Sequence, residues 1–221
     1  MHDLLNQYLT LEQFLESETI YKMGFVSLVD GEYYTFRASD FDSAIELNKA
    51  ILASSAMPVF TPPVEQIRVG SNRPPILDNV DGGIRNVSPL KDVIDEINKD
   101  PDPEARYHIF IINCHTPNLD LRSIQYNIVS IAERALLDIT LSEIFNNDVN
   151  QFLFVNHILK HQGLNALNMD GKTYRAFDVT VIQPEAHLGD YMNASAEMLQ
   201  MRRDEGRRIA AHRLAADMVG A

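Results

Sequence analysis

The triplet Asp81-Gly82-Gly83 places a carboxylate directly before two residues with no side chain. A carboxylate in direct hydrogen-bond reach of a hydroxyl can take its proton and turn a poor nucleophile into a useful one, provided its surroundings adjust its basicity. The short run Ile76-Leu77-Asp78-Asn79-Val80 reads as a strand that would deliver Asp81 at its end and hold it firmly. Glycines after the carboxylate open backbone angles closed to other residues and leave room for a bulky substrate. Taken alone such a triplet is weak, since glycine puts similar sequences in many loops. Some 20–30 residues upstream lies Ala53-Ser54-Ser55-Ala56-Met57-Pro58, followed by Phe60, Pro62 and Pro63; downstream lies Ser88-Pro89.

The elements expected around these residues can be read in order. Residues 3–17 have an apolar helical period through Leu4, Leu5, Tyr8, Leu11, Phe14 and Leu15. They read as core packing, with a lipid entrance as the alternative use. Tyr21–Val29 and Glu32–Arg37 are β-rich and joined by Asp30-Gly31, which suits a type I′ hairpin turn. Ser39 or Asp40 is expected to cap a helix running through Ile45, Leu47, Ile51 and Leu52, which Pro58 stops from continuing. A short strand fits Val64–Val69, and Ser88-Pro89 reads as the cap and first residue of a helix to about Asn98.

The second half reads as a buried strand over His108–Asn113, apolar enough to be covered on both faces. A helix through Ile124–Ile139, a second over Asp148–Gln162, a strand at Tyr174–Ile182 and a terminal helix over Ala194–Val219 follow. A buried strand, then helices, then another strand argue for an α/β fold with a parallel component.

The arrangement from Ala44 to Leu90 resembles patatin-like phospholipases, particularly their bacterial members, and a looser likeness extends through residues 108–113 to the glycine of the final helix. The alanine-serine-serine-alanine-x-proline segment, the aspartate-glycine-glycine and the helix-opening proline carry it. The resemblance implies a lipid acyl hydrolase, a phospholipase or esterase working through a serine–aspartate dyad. Asp81 takes the base position, Gly82 and Gly83 support the active-site loop, and no metal or organic cofactor is involved. It also implies a three-layer α/β sandwich with a largely parallel sheet. Ser54 and Ser55 read as small helix-end residues rather than as nucleophiles.

Two family elements have no counterpart. No serine has glycine both two residues before and two after it, as the tight turn of a G-x-S-x-G elbow demands. The glycine-rich oxyanion loop is likewise absent. Residues 1–221 therefore read as the C-terminal portion of one catalytic domain, without its leading strands, and as inactive alone. A non-catalytic regulatory or interaction protein and one half of a split enzyme are the alternatives. An unpaired sheet edge and uncovered apolar face are expected to favour association.

Composition narrows the partners. A net charge of −12 argues against nucleic acid, whose phosphates demand a basic surface. No run of about 18 apolar residues suggests a membrane span. The single cysteine, Cys114, fits a reducing compartment, so the expected location is cytoplasmic, with peripheral membrane contact left open. Arg202, Arg203, Arg207 and Arg208 read as a solvated helix face, or as a contact for lipid headgroups or an acidic neighbour. His157 and His161, four apart, could bind metal but lack a third ligand, and the pair Cys114-His115 has no supporting context. Gly24, Gly70 and Gly163 form no phosphate cradle, and Met192, Met198 and Met201 read as helix packing.

Overall fold

The computed structural model describes residues 5, 7–102, 105–116, 119, 123–124, 126–189 and 193–219. They cluster into two compact units. The first comprises residues 1–89 with 126–136, the second residues 90–125 with 137–221.

Unit 1 is built on a four-stranded sheet in the order β2-β1-β4-β3, with β1 Lys22–Ser27, β2 Tyr33–Arg37, β3 Val64–Ile67 and β4 Ile76–Asp81. Every neighbouring pair in it is antiparallel. This corrects the expectation of a largely parallel sheet: β1 and β2 are joined by a short loop, and antiparallel neighbours need no long crossover. The loop itself also differs from the type I′ turn expected. Only Gly31 takes a positive φ, at +73°, whereas type I′ needs two such residues. The chain instead uses a longer loop over residues 28–31, closed by Gly31 N–H on the Ser27 carbonyl at 2.9 Å.

The helix α1, Leu11–Leu15, starts at Thr10, which forms a reciprocal capping box with Gln13. Leu5, Gln7 and Tyr8 are helical as well, so the expected helix over 3–17 is interrupted at residues 9–10; Leu4 lies outside the described residues. Helix α2, Ala44–Ala53, is capped by Ser43 rather than by Ser39 or Asp40, because residues 38–40 are spent on a 3-10 turn. It packs on the sheet through Leu47, Ala50 and Ala53, all fully buried, against Met23, Phe25, Phe36 and Ile67. Leu11 and Phe14 of α1 close the edge of this core, in keeping with core packing.

In unit 2, β5 (His108–Ile112) pairs in parallel with β8 (Asp178–Ile182), while β6 (Ala166–Met169) and β7 (Lys172–Arg175) form an antiparallel hairpin. The expected strand over 174–182 is thus two strands, broken at Ala176-Phe177. Ile109 and Ile111 of β5 are buried but Phe110 and Ile112 are 50 % and 70 % exposed, so β5 is not covered on both faces by the described residues. Helix α3 spans Leu90–Ile97. Helix α4, Ile128–Ala132, belongs to unit 1 and continues as a π-helical segment, Glu133–Thr140, into α5, Leu141–His161. The two helices expected here are therefore one uninterrupted run. Helix α6, Ala196–Val219, contains Gly206 without a break and packs against β8.

Candidate active site

Asp81 is the last residue of β4 and caps the 3-10 turn Gly82–Ile84 that follows. Its register partner on β1 is Phe25, one of the most deeply buried side chains of unit 1. Facing residues on paired strands share one side of the sheet, so the carboxylate begins life against the apolar core rather than in water.

The motif halves seen in the sequence meet here. The Asp81 amide N–H donates to the carbonyl of Ala56 at 2.9 Å, which fastens the end of β4 to the Ala53–Pro58 segment leaving α2. Small residues make this approach possible: Ala53 and Ala56 are buried where a longer side chain would push the two backbones apart. Ser54 terminates α2 as its C-cap. The exposed Ser55 turns its hydroxyl back to the carbonyls of Ile51 and Leu52 at 3.3 and 3.1 Å. Both serines thus finish a helix, as expected.

Glycine is required at position 82. A Cβ there would sit 2.7 Å from the carbonyl oxygen of Gly24 and 2.8 Å from its carbon, distances that real side chains do not show. The partner is also a glycine, and a Cβ on Gly24 would run into the Tyr33 ring. Gly24 and Gly82 together let the turn lie directly on β1, with the Tyr33 phenol across both. The sequence signal for this is a glycine inside the expected strand Tyr21–Val29, which marks close backbone approach.

At Gly83 the requirement is different. Its N–H donates to Asp81 Oδ1 at 2.7 Å, and an added Cβ would lie 3.1 Å from that same oxygen. The loop is then tied to the hairpin by Arg85, whose guanidinium donates to the Gly31 carbonyl and lies 3.6 Å from the Glu32 carboxylate. Beyond it, Ser88 does not act as the expected side-chain cap: its hydroxyl is buried and makes no hydrogen bond.

These surroundings raise the pKa of Asp81. Burial is the larger influence and disfavours the charged form; the Gly83 N–H opposes it without cancelling it. Among the described residues Gly83 is the one hydrogen-bond partner of the carboxylate, and Oδ2 has none. The result is a half-buried carboxylate with one oxygen fixed and one open, more basic than an ordinary aspartate. That is the condition of a group able to accept a proton from a hydroxyl.

A strained turn borders the site. Val59 has φ +74°, a conformation that a β-branched residue rarely adopts. The turn is held by Phe60 N–H, Thr61 N–H and the Thr61 hydroxyl, all donating to the Met57 carbonyl at 2.9–3.2 Å.

The remaining candidates stay apart from such chemistry. The His157 and His161 rings lie 6.2 Å apart on α5, tilted by 41°, and no group of His, Cys, Asp or Glu among the described residues could hold a metal ion. Cys114 is exposed, and His115 beside it has a lowered pKa, chiefly from burial and further from His187, with Asp138 opposing. Three of the four clustered arginines are engaged locally: Arg202 on the Leu188 and Asn193 carbonyls, Arg203 on Gln200, Arg208 on Glu205. Met198 packs against Gly189, and Met192 lies outside the described residues.

A mixed α/β scaffold here ends a strand on an aspartate, seats two glycines after it and pins it to a small-residue helix end. Residues 3–94 match the family model described as Patatin-like phospholipase. No curated protein and no solved structure matches the chain. No helix among the described residues is long and apolar enough to cross a membrane.

Proposed function

We propose that this chain supplies the general-base portion of a patatin-like lipid acyl hydrolase, a phospholipase or esterase of the serine–aspartate dyad type. The observation that carries the reading is the junction of Asp81 with Ala56, 2.9 Å from amide nitrogen to carbonyl oxygen, which presents a carboxylate of raised basicity beside the double-serine segment. In this reading residues 1–221 are the C-terminal portion of one catalytic domain, and the nucleophilic serine and oxyanion loop come from polypeptide outside them.

The chemistry then follows from the groups. Asp81 Oδ2 accepts the serine proton as the hydroxyl oxygen attacks an ester carbonyl, and the alkoxide leaving group departs with that proton. A water that Asp81 deprotonates then attacks the acyl-enzyme, the bond to the serine oxygen breaks, that oxygen takes back the proton from Asp81, and a fatty acid is released. No metal or organic cofactor enters these steps. The oxyanion donors, usually the largest electrostatic contribution to acyl transfer, are the part this chain lacks. It is therefore inactive on its own. The protein works in the cytoplasm, reaching its lipid or ester substrate by peripheral contact with a membrane.

A second reading, an interaction protein that keeps the scaffold without catalysis, is favoured by the exposed apolar residues Phe110 and Ile112 on β5. Among the described residues that strand is paired on one edge alone, with β8. The two readings separate when the chain is joined in frame to, or mixed with, an elbow-bearing patatin-like segment. Recovery of ester hydrolysis that Asp81→Asn removes supports the base role. Association without hydrolysis supports the interaction protein.

A further inference from the structure

We propose that unit 2 binds a phosphate monoester in the cleft between the β6–β7 hairpin and the start of β8. The cleft has a volume of about 650 Å³, within the range of small-molecule sites and larger than phosphate alone needs. Arg106, Lys160 and Arg175 line it against one carboxylate, Asp178, in a chain whose net charge is −12. Lys160 Nζ donates to Asp178 Oδ1 at 2.6 Å, so those two charges answer each other. Arg106 acts on Asp178 as well, so three cations face one carboxylate in the lining, and the excess of two positive charges matches a dianion.

Arg175 is the decisive group. Its Nη1 is buried and has no hydrogen-bond partner among the described residues. Leaving a buried donor unsatisfied costs about 1–3 kcal/mol, and more when it is charged; Arg175 lines the cleft, so a turn of its guanidinium would bring this shielded nitrogen to an acceptor bound there. The carboxylate that feels its charge, Asp100, is already engaged: one oxygen accepts from the Tyr107 hydroxyl and the other from the Asp102 N–H at 2.9 Å. A guanidinium fork fits the oxygens of a phosphate in parallel pairs. Further along the wall, the Thr173 hydroxyl donates to Asn168 Oδ1 at 2.7 Å, which leaves the Asn168 amide hydrogens for hydroxyl or ester oxygens of the organic part.

The ligand phosphate could belong to a soluble ester or to a lipid headgroup, and both are tested on the full chain. Isothermal titration with glycerol phosphate at low salt is expected to show saturable binding that weakens as salt is added. Arg175→Gln is expected to lower the affinity about tenfold or more, the loss of one charged hydrogen bond. Arg106→Gln, at an exposed position, should lower it severalfold, and Arg203→Gln, outside the cleft, should leave it unchanged. Binding to phosphatidate vesicles with none to glycerol phosphate, still lost in Arg175→Gln, assigns the phosphate to a headgroup. The proposal is overturned if neither probe binds, if glycerol binds as well as glycerol phosphate, or if Arg175→Gln melts like the parent and binds like it. Should Arg175→Gln fail to fold, unchanged affinity in Arg106→Gln overturns it instead. None of these readouts depends on ester hydrolysis, so they stand apart from the Asp81 reading.

Discussion

The four-stranded sheet of unit 1 and the β5–β8 pair of unit 2 are finished to different degrees. In unit 1, α2 closes one face of the four-stranded sheet, and Phe25, Leu47, Ala50 and Ile67 are entirely shielded from solvent. In unit 2, the parallel pair β5–β8 buries Ile109 and Ile111 on one side and leaves Phe110 and Ile112 in the open on the other. The patatin-like match, residues 3–94, falls almost wholly on the better-closed region, whose first segment ends at residue 89. Asp81 therefore rests on the part of the chain best able to hold a carboxylate in one place. Unit 2 carries the open strand face and the cationic cleft.

The largest expected effect bears on the site itself. In a chain complemented by an elbow-bearing segment, Asp81→Asn should lower ester hydrolysis by about a thousandfold or more, because the base and nucleophile act as one unit. Steady-state rates on a short-chain ester check this. A smaller but clear contrast separates the two sheets. Leu47→Ala in the closed core should cost about 3 kcal/mol of unfolding free energy. Ile112→Thr on the open face should cost no more than about 0.5 kcal/mol. Urea denaturation of both variants tests whether the regions differ as described.

Glycine substitutions sharpen the account within unit 1. Gly82→Ala forces a methyl onto the Gly24 backbone and should destabilise by about 2–3 kcal/mol. Gly83→Ala meets only the Asp81 carboxylate, so it should spare stability and disturb the base. At the strained turn, Val59→Asn should stabilise by about 0.5–1 kcal/mol, since asparagine tolerates a positive φ better than valine. Thermal melts distinguish all three.

The smallest effect is a dependence on pH. The Asp81 pKa is raised in the folded state, so the native protein binds its proton more tightly than the unfolded chain. Stability contributed by this group is greatest when it is protonated and declines as pH rises from the unfolded toward the folded pKa. Asp81→Asn should consequently be more stable than the parent at neutral pH, with the difference vanishing in acid. Melting curves across pH 3–8 provide the check.

Much of unit 1 was legible because its signals are local. Gly31 ends the hairpin loop, the small residues at 53–56 end α2, and the short run Ile76–Val80 before Asp81 makes a strand. Direction of pairing was not legible, since Ile76–Val80 would look the same in a parallel or an antiparallel sheet. Ser43 took the cap from Ser39 and Asp40 because a 3-10 turn intervened, a choice between neighbouring capable residues that propensity does not resolve. The contact of Gly82 with Gly24 joins residues far apart in the chain, and only tertiary packing reveals it. In unit 2 the apolar composition of residues 108–113 suggested burial on both faces, yet composition does not say how many faces find a partner.

The central claim is that Asp81 is a general base with no nucleophile among residues 1–221, and ester hydrolysis by the purified chain tests it most directly. Wild type and Asp81→Asn are expected to release p-nitrophenol from a short-chain ester at the same rate as buffer. Turnover by the wild-type chain that disappears in Asp81→Asn would contradict the account, because a serine within these residues would then be doing the attacking.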